Sequence, residues 1–378
     1  MLPTCFSRPL HGRYKSHKFL AALIIASICF VPHATAASQP PTGYSVATLG
    51  TLNDPGSSTV VRRVNSLGEA VGGFKSGKTH QASATFIVSN TAGFDEITNE
   101  QSTDFSTLYG IHDSGEVAGA INSPNSVLPF RAVRHTGFQI LPLIGQDTSG
   151  AAYGINDKGE SAGFSGGSSG LRAVWWTRKG DAFELPRLPG FTTTKALDIN
   201  SKGDIVGYAG DRDKVAVLWP DKGSIISLDN LYSFNSSQAE SISDNGDVVG
   251  SASAFDPGAI RMRAVLWPAG SSTPQDLGAL PGGSTSRARD VDGNGMVVGT
   301  SASALGNRAF IWTSADGMKD LNALSNNPNI VLVDALSISK QGAILALGIN
   351  RSDLPSNDTA DLEEHELPRQ IVLLTPTK

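Results

Sequence analysis

The chain has 378 residues and a formal net charge of −5 at pH 7, from 35 acidic and 30 basic side chains. Hydrophobic residues make up 39% of it, enough for a folded core, which excludes a largely disordered chain. The net negative charge argues against a basic nucleic-acid-binding protein. The 41 glycines and the low share of charged residues, 17%, favour many short strands joined by tight turns.

Residues 1–36 are predicted to be a secretory signal peptide. A basic leader precedes an apolar run over 19–31, and the segment ends in a small-x-small cleavage motif at 34–36. A retained membrane anchor is the alternative, but the run is shorter than the roughly 20 residues that span a bilayer. Both cysteines, Cys5 and Cys29, fall inside the leader. The mature chain is therefore predicted to lack disulfides and thiolate metal sites.

Residues 37–378 contain seven copies of one pattern, of which GINDKGESAGF and DINSKGDIVGY are two. Each copy has a glycine that closes a turn, and these glycines recur every 43 to 49 residues, a spacing typical of β-propeller blades. The turn explains the fixed distance between the polar residue and the glycine in each copy. Asn, Asp or Ser favours the start of such a turn, and glycine adopts the positive φ at its end. The seven turn glycines are Gly68, Gly115, Gly159, Gly203, Gly246, Gly295 and Gly342.

Each copy predicts four strands. A strand leads into the turn, an apolar strand follows it, a third strand resembles Arg-Ala-Val-Leu-Trp at 263–267, and a Leu-x-x-Leu strand such as 277–280 ends the unit. Four strands in about 45 residues leave no room for a crossover helix, so the pairing should be antiparallel.

The two ends of the mature chain are complementary. The seventh copy stops after its third strand, at 371–374, and the spare strand at 44–52 is of the fourth type. The sequence therefore predicts an all-β fold: a single seven-bladed β-propeller of four-stranded antiparallel blades over 37–378, with the last blade closed by the N-terminal strand. An acidic loop insertion is predicted at 350–368. An open β-solenoid is the alternative, but it gives no reason for the complementary ends.

Strands of the type (H/R)-A-F-x-W that follow I-N-x-x-G-x-V-V-G hairpins resemble the HAF-repeat family of predicted extracellular bacterial proteins. The resemblance covers nearly the whole mature chain and implies export and a repeat fold. It supplies no catalytic residues to transfer. In this chain a basic residue replaces the leading His of the third strand, and the six basic residues are Arg131, Arg172, Lys214, Arg263, Arg308 and Arg369.

These bases, and a set of acids that directly follow the turn glycines, are predicted to lie on opposite faces of the disc. The reason is that the two sets stand at opposite ends of antiparallel strands. One interpretation is that the basic face, with Arg172, Arg263 and Arg308, binds an anionic partner such as an acidic glycan or a cell-surface polymer. The alternative is that each base pairs with an acid in a neighbouring loop. The acids follow the turn glycines and are Glu69, Glu116, Glu160, Asp204 and Asp247.

One turn resembles a calcium loop. Asp290, Asp292 and Asn294 match the opening D-x-[DN]-x-[DN]-G, but the position that needs Glu in an EF-hand is Ser301. A structural turn accounts for all seven copies and calcium for one, so the turn is the favoured interpretation, with calcium at these three residues as the candidate cofactor site. No other cofactor is predicted.

The tryptophans suggest either a carbohydrate platform or a core. Four of them occupy one repeat position that is filled elsewhere by Ile87, His135 and Leu373, which favours packing between blades. Trp175 is the exception, because it lies on the opposite face of its strand and is a candidate ligand-binding residue. The four predicted core tryptophans are Trp176, Trp219, Trp267 and Trp312.

Two functions stay open from the sequence. The first is an exported, non-enzymatic binding or scaffold propeller, and the second is a secreted carbohydrate-active enzyme, a polysaccharide lyase or hydrolase. No H-E-x-x-H, G-x-S-x-G or Cys/His cluster occurs, so no catalytic residue is predicted. The protein is predicted to be a monomer in the periplasm or outside the cell, without a nucleic-acid partner or a stable membrane anchor.

Overall fold

The computed structural model describes residues 41–52, 58–75, 83–91, 93–96, 105–123, 126–133, 137–256, 259–354 and 367–377. The predicted signal peptide and most of the predicted acidic insertion lie outside these residues. Residues Ala37–Lys378 form one compact unit. Its described part contains β-strands and three short 3-10 helices, at Pro220–Lys222, Leu321–Leu324 and Arg351–Asp353. Within that part, no helix is long and apolar enough to cross a membrane.

The strands follow the sequence repeats. After β1 (Gly43–Leu52), unit 1 contains β2 (Ser58–Val64), β3 (Ala70–Lys75), β4 (Ser83–Ser89) and β5 (Gly93–Glu96). Unit 2 contains β6 (Phe105–Ile111), β7 (Glu116–Ser123), β8 (Ser126–Val133) and β9 (Gly137–Ile140), and unit 3 contains β10 (Ser149–Ile155), β11 (Ser161–Gly167), β12 (Gly170–Trp176) and β13 (Ala182–Glu184). Unit 4 contains β14 (Thr194–Ile199), β15 (Ile205–Ala209), β16 (Val215–Trp219) and β17 (Ile226–Ser227).

The remaining units have the same order of elements. Unit 5 contains β18 (Ser236–Ile242), β19 (Val248–Asp256), β20 (Ala259–Trp267) and β21 (Gln275–Asp276). Unit 6 contains β22 (Ser286–Val291), β23 (Val297–Ser303), β24 (Gly306–Thr313) and β25 (Gly317–Asp320). Unit 7 contains β26 (Ile330–Ile338), β27 (Ile344–Asn350) and β28 (Arg369–Thr377).

The strands form small antiparallel sheets in a β-propeller arrangement, as the sequence predicts. The predicted number of separate sheets is wrong: five four-stranded sheets and one eight-stranded sheet occur among the described residues. The eight-stranded sheet combines units 2 and 3, because Ser149 of β10 forms a parallel bridge with Val127 of β8. Two four-stranded sets are thereby hydrogen-bonded into one sheet.

The fourth strand of the last sheet comes from the other end of the chain. β1 pairs antiparallel with β28, from Gly43 opposite Thr377 to Leu52 opposite Arg369. The resulting sheet has the order β1-β28-β27-β26. Side chains from units 7 and 1 share one hydrophobic cluster, in which Leu345 packs with residues of β2 and β4. The first and last repeats are therefore in contact.

The core lies between successive units, as predicted for the tryptophan position. Trp176, Trp219 and Trp267 are at most 1% exposed, and Trp312 is 5% exposed. The Trp176 indole donates a hydrogen bond of 2.8 Å to the carbonyl of Pro142, so its polar group is satisfied as well as its ring.

The strand register corrects which residues replace these tryptophans in the other units. Trp176 lies opposite Ser161, two residues after a turn glycine. Val88 and Leu374 occupy the equivalent places opposite Ala70 and Ile344. In unit 2 the equivalent place is Ala132, opposite Val117. The predictions of Ile87, His135 and Leu373 were therefore out of register, and His135 lies outside the described residues.

The turn prediction is confirmed. All seven turn glycines have positive φ, between 70° and 103°, which a side chain with a Cβ adopts only with strain. The turns also bond to one another: the Asn156 side chain donates to the carbonyl of Asn200, and the Asn200 side chain donates to the carbonyl of Ser243. The turns thus contribute contacts between units.

Candidate functional site

The first strands of the units line the channel of the propeller, and each contains a β-bulge. The bulge in β2 lies between Val61 and Arg63, and the other first strands have one at the corresponding place. A bulge inserts an extra residue and changes the direction in which side chains point. The extra residues that line the channel are Arg62, Tyr109, Tyr153, Leu197, Glu240, Arg289 and Leu336.

Two cavities lie in the channel, and only Arg63 and Tyr153 line both of them. The first, near the turns, has a volume of about 150 Å³. The second, which we call the cationic chamber, has a volume of about 260 Å³. Its walls consist of Val61, Arg62, Arg63, Tyr109, Tyr153, Lys195, Leu197, Gln238, Glu240, Arg287, Arg289 and Leu336.

Arg63, whose side chain is 22% exposed, forms an ionic bridge between these cavities to two buried carboxylates. Its guanidinium lies 2.9 Å from a carboxylate oxygen of Asp198 in unit 4 and 2.7 Å from one of Asp290 in unit 6. The Ser241 hydroxyl of unit 5 lies 2.8 Å from Asp198 and 2.6 Å from Asp290 and can donate to either carboxylate, and Ser337 of unit 7 donates to Asp290 at 2.7 Å. Burial opposes the charge on Arg63, but the two carboxylates outweigh burial and raise the pKa of its guanidinium. We call these five residues the Arg63 layer.

The cations on the chamber side of Arg63 have different surroundings. The Arg62 guanidinium lies 5.8 Å from the centre of the Tyr109 ring. The Lys195 ammonium lies 4.6 Å from the ring centre of Tyr153 and 4.7 Å from that of Phe164. Among the residues that the structure describes, neither cation forms an ion pair with a carboxylate. Aromatic faces therefore hold these two charges without neutralising them.

The opposite wall of the chamber contains paired charges. Arg287 contacts the Glu240 carboxylate, which also accepts a hydrogen bond of 2.8 Å from Gln238. Arg289 lies 2.9 Å from Asp334. The buried Nε atoms of both arginines have no hydrogen-bond acceptor in the described part of the chain. The chamber therefore contains more donors and positive charge than its own acceptors balance.

Desolvation shifts the titration of the chamber groups. Part of the Arg62 side chain meets solvent in the channel, but burial still lowers its pKa, and Arg289 acts in the same direction. Burial also lowers the pKa of Lys195, and Arg62 lowers it further. Burial raises the pKa of Tyr153 to about 12. At neutral pH the tyrosine hydroxyl is therefore protonated, and the chamber can offer two cations and a phenolic donor to an anion.

The structure separates the predicted basic residues into two groups. Arg172, Arg263 and Arg308 share one register position, opposite Ser165, Ala252 and Ser301. Lys214 and Arg369 also stand at the start of their third strands, one residue before the position equivalent to Arg172, whereas Arg131 lies near the end of β8, so the prediction is wrong for Arg131. Arg131 lies at the turn face, where it donates to the carbonyl of Gly159, and Lys214 reaches Gln238 at 2.9 Å.

Two of the three equivalent arginines lie beside carboxylates. Arg172 is 3.1 Å from Asp147 and 3.3 Å from Glu184, and Arg263 is 3.9 Å from Asp276. Arg308 is 6% exposed and donates to the carbonyl of Asn307 at 2.8 Å. These contacts favour the interpretation in which the bases pair within the protein.

Trp175 is partly buried and stacks on Phe183, with ring centres 5.0 Å apart. Phe183 is 48% exposed, and the Lys222 ammonium lies 4.7 Å from the centre of the Trp175 ring. Trp175 therefore belongs to an aromatic pair formed by the third and fourth strands of unit 3, and it does not line either cavity of the channel.

The side chains of the three candidate calcium residues do not converge on one point. Asp290 belongs to the Arg63 layer, whereas Asp292 accepts the backbone N–H groups of Asn294 and Met296, each at 2.9 Å. Asn294 donates its side-chain amide to Asp292 at 3.2 Å. In the part of the chain that is described, no group of three His, Cys, Asp or Glu residues is arranged to hold a metal ion.

The sequence interpretation missed the chamber residues. It compared what the seven copies share and so missed Arg62, Tyr109 and Lys195, which occupy positions at which the copies differ. A signal was present in the sequence. Polar or aromatic residues such as Arg62 and Tyr109 stand two residues before the apolar residue that precedes a turn.

The comparisons with known proteins concern the fold. No protein-family model matches the chain, and no curated protein is similar to it. The solved structure of a streptogramin B lyase is similar, with 12% identity over 90% of this chain and 100% of that chain and a TM-score of 0.51. The chain is a β-propeller. An oligogalacturonate lyase in complex with manganese is also similar to this propeller, with 9% identity over 88% of this chain and 93% of that chain and a TM-score of 0.51.

Proposed function

We propose that this propeller is an exported, non-enzymatic binding protein that takes an anionic ligand into the cationic chamber. The observation that carries the proposal is the pair Arg62 and Lys195, which line the chamber without a carboxylate partner among the described residues. Lys195 is partly buried, and a partly desolvated cation costs free energy unless an anion balances it. A bound anion would supply that balance.

The rest of the chamber suits the same ligand. The carboxylate of Glu240 contacts Arg287 and Gln238, so it does not cancel the charge of Arg62 or Lys195 by direct contact. Tyr109 and Tyr153 give apolar ring surface beside hydroxyl donors, a combination that suits a polar ring with a charged substituent. An acidic saccharide has this chemistry.

This proposal places the anionic ligand in the channel and not on the basic face predicted from the sequence. Arg172 already has two carboxylates within 3.3 Å, and a ligand there would have to compete with them. Among the described residues, Arg62 and Lys195 have no such competitors. The negative total charge does not oppose binding, because the local field of a lined cleft decides which ions enter it.

A secreted carbohydrate-active enzyme is the second candidate, and one observation favours it. The lowered pKa of Lys195, caused first by burial and then by Arg62, increases its fraction of neutral amine. A neutral amine beside a cation that holds a carboxylate could remove a proton next to that carboxylate, as polysaccharide lyases require. The oligogalacturonate lyase named above shares the fold at 9% identity and supports nothing beyond it.

We propose further that the sheets close into a seven-bladed ring, with units 2 and 3 as two blades joined by a single bridge. The pairing of β1 with β28 and the hydrophobic cluster shared by units 7 and 1 support closure. Export and membership of the HAF-repeat family also remain proposals. They are supported by the basic leader, the apolar run and the repeated hairpins of the sequence.

Titration calorimetry with the purified protein tests the binding function. Galacturonate oligomers, heparin and neutral dextran would be compared, and we expect heat of binding for at least one acidic saccharide and none for dextran. Arg62→Gln and Lys195→Gln should each weaken binding about tenfold or more, since a hydrogen bond to a charged group contributes about 1.5–3 kcal/mol.

Arg172→Gln is the matched control, because it removes an arginine that is already paired. It should leave binding unchanged. Failure of every acidic saccharide to bind, or undiminished binding by both chamber variants, would contradict the proposal. Appearance of unsaturated products during incubation would favour the enzyme instead.

A further inference from the structure

We infer that the cationic chamber receives the acidic end of a saccharide chain and not an internal segment. This inference rests on the anion-binding function proposed above. It is carried by the position of the Arg63 layer, which lies across the channel directly beside Arg62 and Lys195, the two cations without a carboxylate partner in the described part of the chain.

The Arg63 layer closes one end of the chamber. Arg63 belongs to unit 1 and reaches Asp198 of unit 4 and Asp290 of unit 6, so its side chain crosses the channel. Ser241 and Ser337 fill positions between and beside these acids and donate to them. A saccharide chain cannot pass through the plane of these residues without breaking buried ion pairs, which are costly to open.

The other two units leave no side chain in this layer. Gly110 of unit 2 and Gly154 of unit 3 occupy the positions equivalent to Arg63. A Cβ at Gly110 would lie 2.8 Å from the carbonyl oxygen of Tyr153, and one at Gly154 would lie 3.0 Å from the amide nitrogen of Ile199. Backbone therefore fills the layer where side chains do not.

The cations lie next to this closed end. Arg62 precedes Arg63 in β2, and Lys195 lies three residues before Asp198 in the first strand of unit 4. The chamber volume of about 260 Å³ is slightly below the roughly 300–1,000 Å³ of pockets for drug-sized ligands. It is suited to a single ring with its substituents.

A closed chamber of this size limits how a polymer can bind. An internal residue of a chain would need two continuations to leave through the same opening, on either side of the bound ring. A terminal residue needs only one. An anionic group on that terminal residue would reach Arg62 and Lys195, while the rest of the chain stays outside.

The stoichiometry of binding tests this inference. Galacturonate, trigalacturonate and long polygalacturonate would be titrated into the full-length mature protein, with the bound complex sized by analytical ultracentrifugation. End recognition predicts that the number of protein molecules bound per saccharide chain is the same for trigalacturonate and for the long polymer. Internal recognition predicts that this number increases in proportion to chain length.

Two variants separate this inference from the function on which it rests. Arg62→Gln should weaken binding of all three saccharides by about tenfold or more, whereas Arg172→Gln should change none of them. Loss of binding with Arg62→Gln together with stoichiometry that rises with length would overturn end recognition and leave anion binding intact. Absence of binding by all three saccharides, or binding that ignores Arg62, would overturn both.

Discussion

Arg62 and Arg63 are neighbours in β2, but they have opposite relations to the rest of the protein. Arg63 contacts two carboxylates, and together with them it belongs to the Arg63 layer. Arg62 lies over the Tyr109 ring in the cationic chamber, with no carboxylate partner in the described part of the chain. In a regular strand two successive side chains point to opposite faces, and the bulge at this place allows both to line the channel.

The difference shows how one strand can serve two purposes. A charge that finds its partners inside the chain holds sheets together, because removing it would leave buried acids without a cation. A charge that finds only aromatic rings contributes little to folding and stays available for a ligand. The comparison of these two arginines therefore separates stability from binding in adjacent residues.

The largest effect on stability is expected for the Arg63→Met variant. This change leaves Asp198 and Asp290 buried without their cation, and we expect the free energy of unfolding to fall by about 3–5 kcal/mol. Denaturation by urea measures it. Arg62→Met is the matched control one residue away and should change stability by less than about 0.5 kcal/mol. Equal losses for the two variants would contradict the comparison.

A smaller effect is expected for Gly110→Ala, which adds a methyl group beside the Arg63 layer. Its Cβ would lie 2.8 Å from a carbonyl oxygen, and overpacking of this kind costs about 1–3 kcal/mol. Gly293→Ala is the control, because a Cβ at Gly293 meets no atom within 4 Å. The melting temperature of the first variant should fall and that of the second should not. A stable Gly110→Ala protein would mean that the layer has space.

Anion binding should depend on pH through Lys195. Burial lowers the pKa of this lysine, so its ammonium loses a proton at a lower pH than an ordinary lysine. The charged form is the one that attracts an anion, and affinity should therefore fall by about tenfold as the pH rises through that lowered pKa. Lys195→Arg keeps its charge and should remove the alkaline loss. A profile that is the same in both proteins would exclude Lys195 as the titrating group.

The smallest expected effect is on the pair Lys222 and Glu160 at the turn face, which are 2.9 Å apart. Burial raises the pKa of Glu160, but hydrogen bonds from Asn156 and Lys222 outweigh burial and lower it. The pair therefore stabilises the fold above the ordinary pKa of glutamate, near 4.3, and this contribution is lost as the pH falls through the lowered value.

A double-mutant cycle with Lys222→Met and Glu160→Gln measures that contribution. We expect a coupling of about 0.2–1 kcal/mol at pH 7, the range of ion pairs near the protein surface. The coupling should decrease as the pH falls through the lowered pKa of Glu160. Coupling that persists in acid would show that packing of the two side chains, and not their charge, produces it.

The sequence predicted the parts of this protein that repeat. The spacing of glycines such as Gly203 predicted the turns, and Trp219 and its equivalents predicted the core between units, because each copy must solve the same packing problem. The strand β1 was predicted from its likeness to fourth strands elsewhere in the chain. These features depend on local pattern alone.

The predictions failed where the copies differ. Arg131 was assigned to the basic face, but strand register places it at the turn face. The chamber was missed because Lys195 and Tyr153 belong to different units and meet only after the propeller is assembled. The position of a bulge cannot be read from the sequence. The bulge decides whether the side chain of a residue such as Arg62 points into the channel or into the core.

The pairing of β1 with β28 also sets an order of events during synthesis. More than 300 residues separate the two strands, so β1 leaves the ribosome long before its partner exists. At about 5–20 residues per second the delay is on the order of 15 to 60 s. For that time β1 has no strand to complete, and the last sheet gains its fourth strand only when translation is nearly finished. The last sheet therefore cannot be completed before the C-terminal strand has been made.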